Sequence, residues 1–514
     1  MKRWSAIVLI LLWLGWHFSV PIDLTSVDVG RHIKNGELIV HGTWDVLYKN
    51  YYSFSHPDYP YINHQWLFGV FCFCMWHLFG FFGLSLIYVG LVLLTFWLFF
   101  RWAESKSSFL LALAFGLLSI PLLAYRNEIR PEGFSMLFCA LFWFFGDAYL
   151  QGRLKVRELY FSLILLEIFW VNTQIYFLLG PLLVFLLWFQ AKLDNKKDQA
   201  STFKKVFLLV SMACLINPSG LAGVLLPFNI LNGLGYRVVE DQSLFFILRN
   251  YSDNSIQIYF LGTLLLAAIA WIAVIKREGI RKHVALVILM LIFSVAGIKM
   301  VRLIAPYGFF WIPLTAYAWG RWMENWSERF KKVTIAILIV AGILVSAMVH
   351  FNWKQGPILG LAPGVNRAAE FLKQEKLTGP IFSNYAIGGY LIFHLGSEQK
   401  FFVDNRVEAY PSIFFKKIFL PMLGNDAIWQ TIEERFHFNI ICFSRNGLSR
   451  WGSRFIVRRL NDFTWAPVFI DDYTIILLKR NAQNADVIGR YQWHASKLTA
   501  GNTEGYRLDR SPKI

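Results

Sequence analysis

The sequence predicts a mostly α-helical, polytopic membrane protein of about eleven transmembrane helices, followed by a soluble α/β domain. Hydrophobic residues make up 56% of the chain and charged residues only 16%, against about a quarter in typical soluble domains. Apolar runs of roughly 18 residues or more, long enough to cross a bilayer, recur before residue 352. After that point the runs shorten and turn residues appear, which indicates a separate domain.

The apolar runs define the predicted spans. The first run follows Lys2 and Arg3 like a signal peptide, but it lacks a small-residue cleavage site, so we interpret it as an uncleaved span. The predicted spans are residues 5–20, 84–102, 109–124, 134–150, 159–173, 176–191, 206–227, 256–275, 284–300, 303–320 and 333–351. They form a transmembrane domain over residues 1–351.

Basic residues orient these spans. The net charge is +17, and most of the excess lies in short loops between spans, which indicates membrane orientation rather than nucleic-acid binding. If residues 66–82 do not cross the membrane, every basic loop falls on the cytoplasmic side, as the positive-inside rule requires. We therefore expect 66–82 to be an interfacial or re-entrant helix, with loop 21–65 and the C-terminal domain outside the cytoplasm.

The long polar loop at 21–65 is the first candidate functional segment. It is rich in carboxylates, histidines and tyrosines, whereas most connections between spans are short, so we expect a folded lid or an active-site floor. Its histidines are candidate metal ligands: His32, His41, His56 and His64. Their spacing is irregular, and plain hydrogen bonding is the usual role of such residues.

Polar groups at the outer ends of later spans form a second candidate set. Such groups are costly at membrane depth and usually face a water-filled cavity or a partner. The set comprises Arg126, Glu128, Arg130, Glu132, Asn172, Gln174, Asn217, Glu240, Asp241 and Arg302. Ion pairing inside a bundle is the alternative role for the arginines. Hydrogen bonding to the backbone at a helix break is the alternative for Asn172 and Gln174.

The C-terminal domain is predicted over 352–485, followed by a polar tail over 486–514 whose composition is typical of disorder. Five short β-branched and aromatic runs, GPIFSNY, KFFVDNR, FNIICFSR, APVFID and YTIILLKR, are typical of strands, and LAPGVNRAAEFLKQEK and NDAIWQTIEERF of helices. Their alternation favours a mostly parallel sheet. Asp404, Arg406 and Glu408 follow one predicted strand, and we expect a solvated loop there, with acceptor binding as the alternative.

Four segments in order carry a family resemblance. They are DVGRHIKNGELIVHG from Asp28, WVNTQIYFLLGP from Trp170, GGYLI from Gly388 and FVDNRVEAY from Phe402. Together with the N-terminal span and the R-x3-RP-E segment at 126–132, they resemble the GT-C class of membrane glycosyltransferases. That class includes protein mannosyltransferases, lipid A aminoarabinose transferases and a bacterial branch with a C-terminal periplasmic α/β domain.

The resemblance implies an activity, its partners and a set of site residues. It implies transfer of a sugar from a polyprenyl-phosphate donor to a lipid-linked, glycan or protein acceptor at the outer face of the bacterial inner membrane, among membrane lipids and without nucleic acid. Asp28 would be the general base, with a structural cap or salt bridge as its alternative role. Arg126, Arg130 and Arg302 would bind the donor phosphate. Arg31, His32, His64, Glu128, Asn172, Gln174 and Asp241 would bind or orient substrate.

Two questions stay open at the level of sequence. Members of the class often carry two adjacent acidic residues in the first loop, but Val27 precedes Asp28 here, so the expectation is either no cofactor or a divalent cation such as Mg²⁺ or Mn²⁺. The competing functions are a flippase for a lipid-linked glycan and a non-catalytic scaffold. A flippase predicts inverted repeats and charges near the bilayer midplane, which the sequence does not show; a scaffold remains compatible with the fold.

Overall fold

The computed structural model describes residues 2–231, 235–351, 356–396, 398–446 and 450–493, most of them helical. The helices are α1 (Lys2–Phe18), α2 (Val29–Val40), α3 (Trp66–Lys106), α4 (Phe109–Ala124), α5 (Glu132–Leu150), α6 (Val156–Val171), α7 (Leu179–Leu193), α8 (Lys197–Ala213), α9 (Gly220–Leu231), α10 (Leu244–Asn250), α11 (Ser255–Glu278), α12 (Val284–Lys299), α13 (Ile304–Trp322), α14 (Glu328–Phe351), α15 (Arg367–Gln374), α16 (Gly388–Leu395), α17 (Ser412–Phe414), α18 (Leu420–Gly424), α19 (Asp426–Phe436), α20 (Arg450–Leu460) and α21 (Ala485–Tyr491). The strands are β1 (Ile381–Ser383), β2 (Ile440–Ser444), β3 (Trp465–Ile470) and β4 (Thr474–Lys479).

The chain folds into two compact units, each built from segments that are distant in sequence. The first comprises Met1–Val20, Ser85–Val224 and Val238–Leu359, and the second Pro21–Leu84, Leu225–Arg237 and Gly360–Ile514. We call them the helical unit and the mixed unit. The first polar loop thus belongs with the C-terminal domain, whereas the sequence pattern placed it in the transmembrane domain.

Within the described residues, six helices are long and apolar enough to cross a membrane. Every predicted span overlaps a helix, but several of these helices are shorter than a bilayer needs, so the number eleven stays a prediction. The single span predicted over 206–227 is wrong, because two helices, α8 and α9, take its place. Asn217 stabilises the break between them: its Nδ2 donates to Cys214 O at 2.9 Å and to Gly220 O at 3.0 Å.

Helix α3 is interrupted at Gly80, whose φ of 63° and ψ of −170° are not helical. A positive φ of this kind is strained for residues with a Cβ atom, so glycine suits the position. The interruption separates the predicted segment 66–82 from the span that follows it. The location of this segment in the membrane interface stays a prediction.

The helical unit packs around α4. Nearly every residue of α4 from Leu111 onward is buried, as expected of a helix that is apolar on all sides and lies inside a bundle. Two glycines bring its neighbours close: a Cβ at Gly308 of α13 would lie 3.0 Å from Leu122 Cβ, and one at Gly342 of α14 would lie 2.7 Å from Leu117 Cβ. Side chains without bulk therefore set the spacing of these helices.

The mixed unit contains a four-stranded sheet with the order β1-β2-β4-β3. Only β1 and β2 pair in parallel; β4 is antiparallel to both β2 and β3. The prediction of a mostly parallel sheet is therefore wrong, because β3 and β4 form a hairpin. Asp471 Oδ1 closes its turn by accepting hydrogen bonds from Tyr473 N at 2.9 Å and Thr474 N at 2.7 Å.

Four of the five predicted strands exist, and KFFVDNR is wrong. Phe401 makes only isolated bridges, to Ser53 and Ile381, and the residues after it run as irregular backbone. The helix predicted over NDAIWQTIEERF is confirmed as α19, and LAPGVNRAAEFLKQEK becomes helical at Arg367. The start of the predicted tail is helical in α21, and residues 494–514 lie outside the described part of the chain.

Candidate functional site

Helix α2 carries Asp28 at its start and is held on two sides by glycine contacts. A Cβ at Gly36 would lie 2.1 Å from the carbonyl oxygen of Gly69 in α3, and one at Gly30 would lie 3.0 Å from that of Gly389 in α16. The backbone of α3 therefore approaches α2 as closely as only glycine allows, and the backbone of α16 lies at the tight end of ordinary Cβ contacts. The third glycine of this segment, Gly42, follows the helix with φ 86°, as is typical after a helix C-terminus.

Asp28 has donors beside both of its carboxylate oxygens. Asn405 Nδ2 donates a hydrogen bond to Oδ1, and Arg31 Nη2 lies 3.7 Å from Oδ2. The Asp28 side chain is 34% exposed, while that of Arg31 is only 4% exposed. Although Asp28 is the N-cap residue of α2, its side chain makes no capping hydrogen bond. Its position is set by Asn405 and Arg31 rather than by helix capping.

Arg31 is a buried cation with spare donors. Its Nε and Nη1 have no hydrogen-bond acceptor among the described residues. Burial disfavours the charged form, but Asp28, Tyr61 and Glu408 raise the pKa of Arg31 above its ordinary value. A charged guanidinium with unused N–H groups beside a carboxylate is suited to hold an anionic or hydroxyl-bearing ligand.

The predicted histidines occupy different environments. His32 in α2 is buried, and its ring packs edge-on against Phe68 with 4.9 Å between the ring centroids. His64 is half-buried in the loop before α3. Their roles toward substrate stay predictions. The described residues contain no group of three or more His, Cys, Asp or Glu side chains placed to hold a metal ion.

The segment Phe402–Tyr410 is buried rather than solvated, so that prediction is wrong. Asp404 and Arg406 are fully buried and paired: Arg406 Nε lies 2.8 Å from Asp404 Oδ1, and Nη2 lies 2.7 Å from Oδ2. Nη2 also donates to Asn50 Oδ1 at 2.7 Å. The guanidinium carbon lies 5.0 Å from the ring centroid of Tyr52 and 4.9 Å from that of Tyr61. We call Asn50, Tyr52, Tyr61, Asp404, Arg406 and Tyr410 the buried network.

Two buried tyrosines interact electrostatically with nearby carboxylates: Tyr61 with Glu408, and Tyr385 with Glu408 and Asp28. Burial raises the pKa of Tyr61 to about 12, and Glu408 adds to the shift. Burial likewise raises the pKa of Tyr385 well above its ordinary value, with further contributions from Glu408 and Asp28. Tyr385 Oη donates to the backbone oxygen of Asn405 at 2.9 Å. Both phenols therefore stay protonated hydrogen-bond donors at neutral pH.

The three predicted arginines lie in the helical unit, and each is paired with a carboxylate. Arg126 pairs with Glu240, and Arg130 lies 3.3 Å from the other oxygen of that carboxylate. Arg130 also pairs with Glu128 at 2.8 Å, and Arg302 with Asp241 at 3.0 Å. Glu132 lies 3.9 Å from Arg126. We call these seven residues the arginine cluster: Arg126, Glu128, Arg130, Glu132, Glu240, Asp241 and Arg302. Ion pairing, the alternative role, is thus present, and it also fixes the arginines in place.

A partly open cavity lies against this cluster. All three arginines line it, together with one carboxylate, Glu132. The remaining lining is mostly apolar or aromatic: Phe18, Tyr88, Val92, Thr95, Leu123, Gly133, Met136, Ala305, Pro306 and Phe309. Three arginines and one carboxylate thus line the cavity beside an apolar surface, and each arginine is paired with a carboxylate of the cluster.

The carboxylates of the cluster are held in different ionisation environments. Burial opposes ionisation of Glu240, but Arg130 and Arg126 outweigh it and lower its pKa to about 2. Burial raises the pKa of Asp241 despite the opposing effect of Arg302. The Nε of Arg302 is buried and has no hydrogen-bond acceptor among the described residues. Arg302 therefore keeps a donor available at the cavity wall.

Asn172 and Gln174 hydrogen bond to backbone at the break between α6 and α7. Asn172 Nδ2 donates to Ile168 O at 2.7 Å and to Ile216 O at 2.8 Å. Gln174 Oε1 accepts from Ile175 N at 2.6 Å. These bonds match the backbone role that the sequence offered as the alternative; contact with substrate stays a prediction.

Sequence reasoning missed Asn405 altogether. It is the second x in the F-x-D-x-R motif, and nothing in a single sequence links it to a helix more than 370 residues earlier. The glycine pair at 388–389 is a sequence signal for the close approach of another backbone segment. A Cβ at Gly388 would lie 2.6 Å from Asp404 Cα and from Asn405 N, so the two glycines mark where this loop passes.

The comparisons with known proteins concern the fold. No protein-family model matches the sequence, and neither does any curated protein. The structure is similar to that of the oligosaccharyltransferase AglB from Archaeoglobus fulgidus in complex with an inhibitory peptide and a dolichol-phosphate, with a TM-score of 0.59 and 9% identity over 91% of this chain and 72% of that chain. An Archaeoglobus fulgidus oligosaccharyltransferase tethered with an acceptor peptide gives a TM-score of 0.60 and 9% identity over 93% of this chain and 74% of that chain.

A second similar structure is the arabinofuranosyltransferase AftD from Mycobacteria. Its TM-score is 0.54 with 16% identity over 94% of this chain, which spans only 42% of that longer chain. Both solved proteins are membrane glycosyltransferases of the GT-C class. At these identities the similarity establishes the fold: the chain has a GT-C fold, and its long apolar helices indicate a multi-pass membrane protein.

Proposed function

We propose that the protein is a glycosyltransferase that moves one sugar from a polyprenyl-phosphate donor to a lipid-linked or cell-surface acceptor. The observation that carries this proposal is the cavity lined by Arg126, Arg130 and Arg302 beside an apolar wall. An anionic head group attached to a hydrocarbon chain matches both parts of that lining. The GT-C fold and the dolichol-phosphate bound to AglB give independent support.

The three arginines have the chemistry that a departing phosphate needs. Guanidinium groups form charge-assisted hydrogen bonds with phosphate oxygens, and they stabilise negative charge best when they are fixed beforehand. The ion pairs with Glu240 and Asp241 supply that fixation. Neither of these carboxylates lines the cavity, so each repels a phosphate bound there less than a carboxylate in the lining would.

Asp28 is proposed as the general base. It accepts the proton of the acceptor hydroxyl while the hydroxyl oxygen bonds to the anomeric carbon. The bond between that carbon and the phosphate oxygen breaks, and its electron pair leaves with the polyprenyl phosphate. This single displacement inverts the anomeric configuration, and general-base assistance contributes roughly 10²- to 10⁴-fold. The partial exposure of Asp28 leaves it accessible to an acceptor.

A divalent cation does not fit the surroundings of Asp28. Its carboxylate faces the amide N–H of Asn405 and the guanidinium of Arg31, and both groups carry partial or full positive charge that would repel a cation. Mg²⁺ and Mn²⁺ prefer clustered oxygen ligands instead. The proposal therefore routes no step through a metal. We place the reaction at the outer face of the bacterial inner membrane, as the positive-inside orientation of the basic loops favours.

The test is sugar transfer by the purified full chain in nanodiscs. Radiolabelled polyprenyl-phosphate sugars serve as donors and membrane extract as acceptor, with and without chelator. We expect wild-type transfer that Asp28→Asn abolishes. Arg126→Ala or Arg302→Ala should weaken binding of polyprenyl phosphate by about 10- to 100-fold, since a charged hydrogen bond contributes roughly 1.5–3 kcal/mol.

The matched control is Arg277→Ala. Arg277 also lies in an arginine–glutamate cluster, 2.6 Å from Glu278 and 2.9 Å from Glu324, but it does not line the cavity. Its replacement should leave lipid-phosphate binding unchanged. Equal losses for Arg126→Ala and Arg277→Ala would show that the arginines act only in stability. Transfer that survives Asp28→Asn would assign the base to another residue.

A further inference from the structure

We propose that Asn405, a residue of the C-terminal domain, is the positioning residue of the catalytic carboxylate. The inference rests on the proposed role of Asp28. Asn405 Nδ2 donates a hydrogen bond to Asp28 Oδ1, and a carboxylate can only accept, so the amide must present its NH₂ group there. This contact holds the Asp28 carboxylate from its Oδ1 side.

The backbone on both sides of Asn405 is locked. Asp404 N donates to Tyr410 Oη at 3.1 Å, and Arg406 N donates to Asp404 Oδ1 at 3.0 Å. The side chains of Asp404 and Arg406 are themselves fully buried and paired. Asn405 therefore extends from a rigid segment, and its side chain, in a residue only 8% exposed, is held where the loop places it.

The glycine pair of α16 makes room for this contact. A Cβ at Gly389 would lie 2.9 Å from Asn405 Nδ2 and 3.2 Å from Val27 O, on the residue just before Asp28. One at Gly388 would lie 2.6 Å from Asn405 N. Any larger residue at either position would displace Asn405 or the start of α2. Segments at 28–42, 388–392 and 402–410 thus meet at a single contact between Asn405 and Asp28.

A neutral amide at this position has a chemical consequence. It stabilises the ionised carboxylate without supplying a proton, so Asp28 stays ready to act as a base at neutral pH. A carboxylate in place of the amide would lie against Asp28 and share one proton with it, and the first ionisation of such a pair would be easy and the second difficult. Arg31, 3.7 Å from Oδ2, and the buried phenol of Tyr385 also face this carboxylate. They are unchanged in a variant at position 405, so the substitution isolates the effect of residue 405 on the pH at which the base is active.

The first experiment measures the pH–rate profile of transfer by the full chain. We expect Asn405→Asp to move the acid limb of kcat upward by at least about one pH unit. We expect Asn405→Ala to lower kcat about tenfold or more, with KM changed less than about threefold, because the base is misplaced while substrate binding is kept. A purely structural role would lower activity evenly across pH and leave the profile in place, which would overturn the proposal.

The control is Asn439→Asp. Asn439 is 6% exposed, and its Nδ2 donates to the backbone oxygen of Thr378 at 2.7 Å. This substitution makes the same chemical change at a similarly buried site, so it should cost stability but leave the acid limb unmoved. An equal upward movement in Asn439→Asp would refute a specific effect at Asn405.

The second experiment needs no activity, so it separates this inference from the proposed function. Infrared titration of the full chain in nanodiscs, with Asp28→Asn as the subtracted reference, isolates the Asp28 carboxyl absorption. We expect its titration midpoint to rise by about one pH unit or more in Asn405→Ala. An unchanged midpoint overturns the positioning role even if the protein transfers sugar. A raised midpoint without any transfer supports the contact while the glycosyltransferase proposal fails.

Discussion

Replacing Arg406 by methionine should destabilise the mixed unit strongly, because it leaves a buried charge without a partner. Asp404 and Arg406 are both fully buried. The substitution removes three side-chain hydrogen bonds of Arg406, two to Asp404 and one to Asn50. It also removes two cation–π contacts, at 5.0 and 4.9 Å from the rings of Tyr52 and Tyr61.

The magnitude follows from the uncompensated carboxylate. Removing one partner of a buried ion pair costs about 3–5 kcal/mol. Among the described residues, the donors that Asp404 keeps are Tyr410 Oη at 3.0 Å and the backbone N–H of residue 406. Such a loss accelerates exchange of protected amides by a factor on the order of 10² to 10⁴ when exchange proceeds through unfolding of this unit. Hydrogen exchange of the full chain in nanodiscs measures it on peptides from 381–383 and 440–444.

Two comparisons make the reasoning refutable. Arg435 is exposed on α19, so Arg435→Met should change exchange by less than about threefold, because surface substitutions rarely exceed about 0.5 kcal/mol. The double variant Asp404→Leu with Arg406→Met should lose less than Arg406→Met alone, since no buried charge is stranded. An acceleration below about tenfold in Arg406→Met, or a greater loss in the double variant, would show that the ion pair does not hold the unit together.

Three further predictions concern close packing and ionisation. Gly36→Ala should destabilise the mixed unit by about 1–3 kcal/mol, because its Cβ would lie 2.1 Å from the Gly69 carbonyl oxygen. Gly90→Ala is the control and should leave stability unchanged, since a Cβ at Gly90 would meet no atom within 4 Å. Thermal unfolding followed by tryptophan fluorescence compares the two variants. Burial, together with the nearby Lys373, lowers the pKa of His394 to about 4. The contribution of neutral His394 to the free energy of unfolding should therefore be complete above about pH 6.5 and fall by up to about 3 kcal/mol between pH 6.5 and 4. His394→Leu should reduce this dependence of the unfolding free energy on pH. Burial opposes ionisation of Glu240, but Arg130 and Arg126 lower its pKa to about 2. Ionised Glu240 should therefore stabilise the folded protein fully above about pH 4.5 and lose that contribution between pH 4.5 and 2. Glu240→Gln should make the acid-unfolding curve of the full chain shallower in this range, and an unchanged curve would contradict the assigned pairing.

The helical part of the fold could be predicted because its signal is local. Apolar runs located the helices, and the arginines of the R-x3-RP-E segment could be grouped because all lie at ends of spans on one predicted side. The failures have equally local causes. The turn at 471–473, with two aspartates between β-rich runs, is a hairpin signal that was available and outweighs strand–helix alternation. Asn217–Pro218 likewise signals a helix break inside the run 206–227.

The buried network could not be predicted, because the pairing is not local. A run such as FVDNRVEAY has the polarity of a surface loop, and charged residues are almost never fully buried unless paired. Its burial depends on Asn50, Tyr52 and Tyr61, which lie about 350 residues earlier in the chain. The same holds for Asn405 and Asp28. Sequence proximity carries no information about either pair, so only the folded structure brings them out.

The glycines of the first loop explain why this segment and the GGY segment belong together. Gly30 and Gly36 are six residues apart, which on an α-helix is about 240° of rotation, so they lie on different faces of α2. One face meets α16 at Gly389 and the other meets α3 at Gly69. A helix held on two faces by backbone contacts has little freedom to rotate or slide. The residue at its start therefore occupies a fixed position, and that residue is Asp28. The motif thus encodes the placement of one carboxylate, and its glycines serve this end through their backbone contacts.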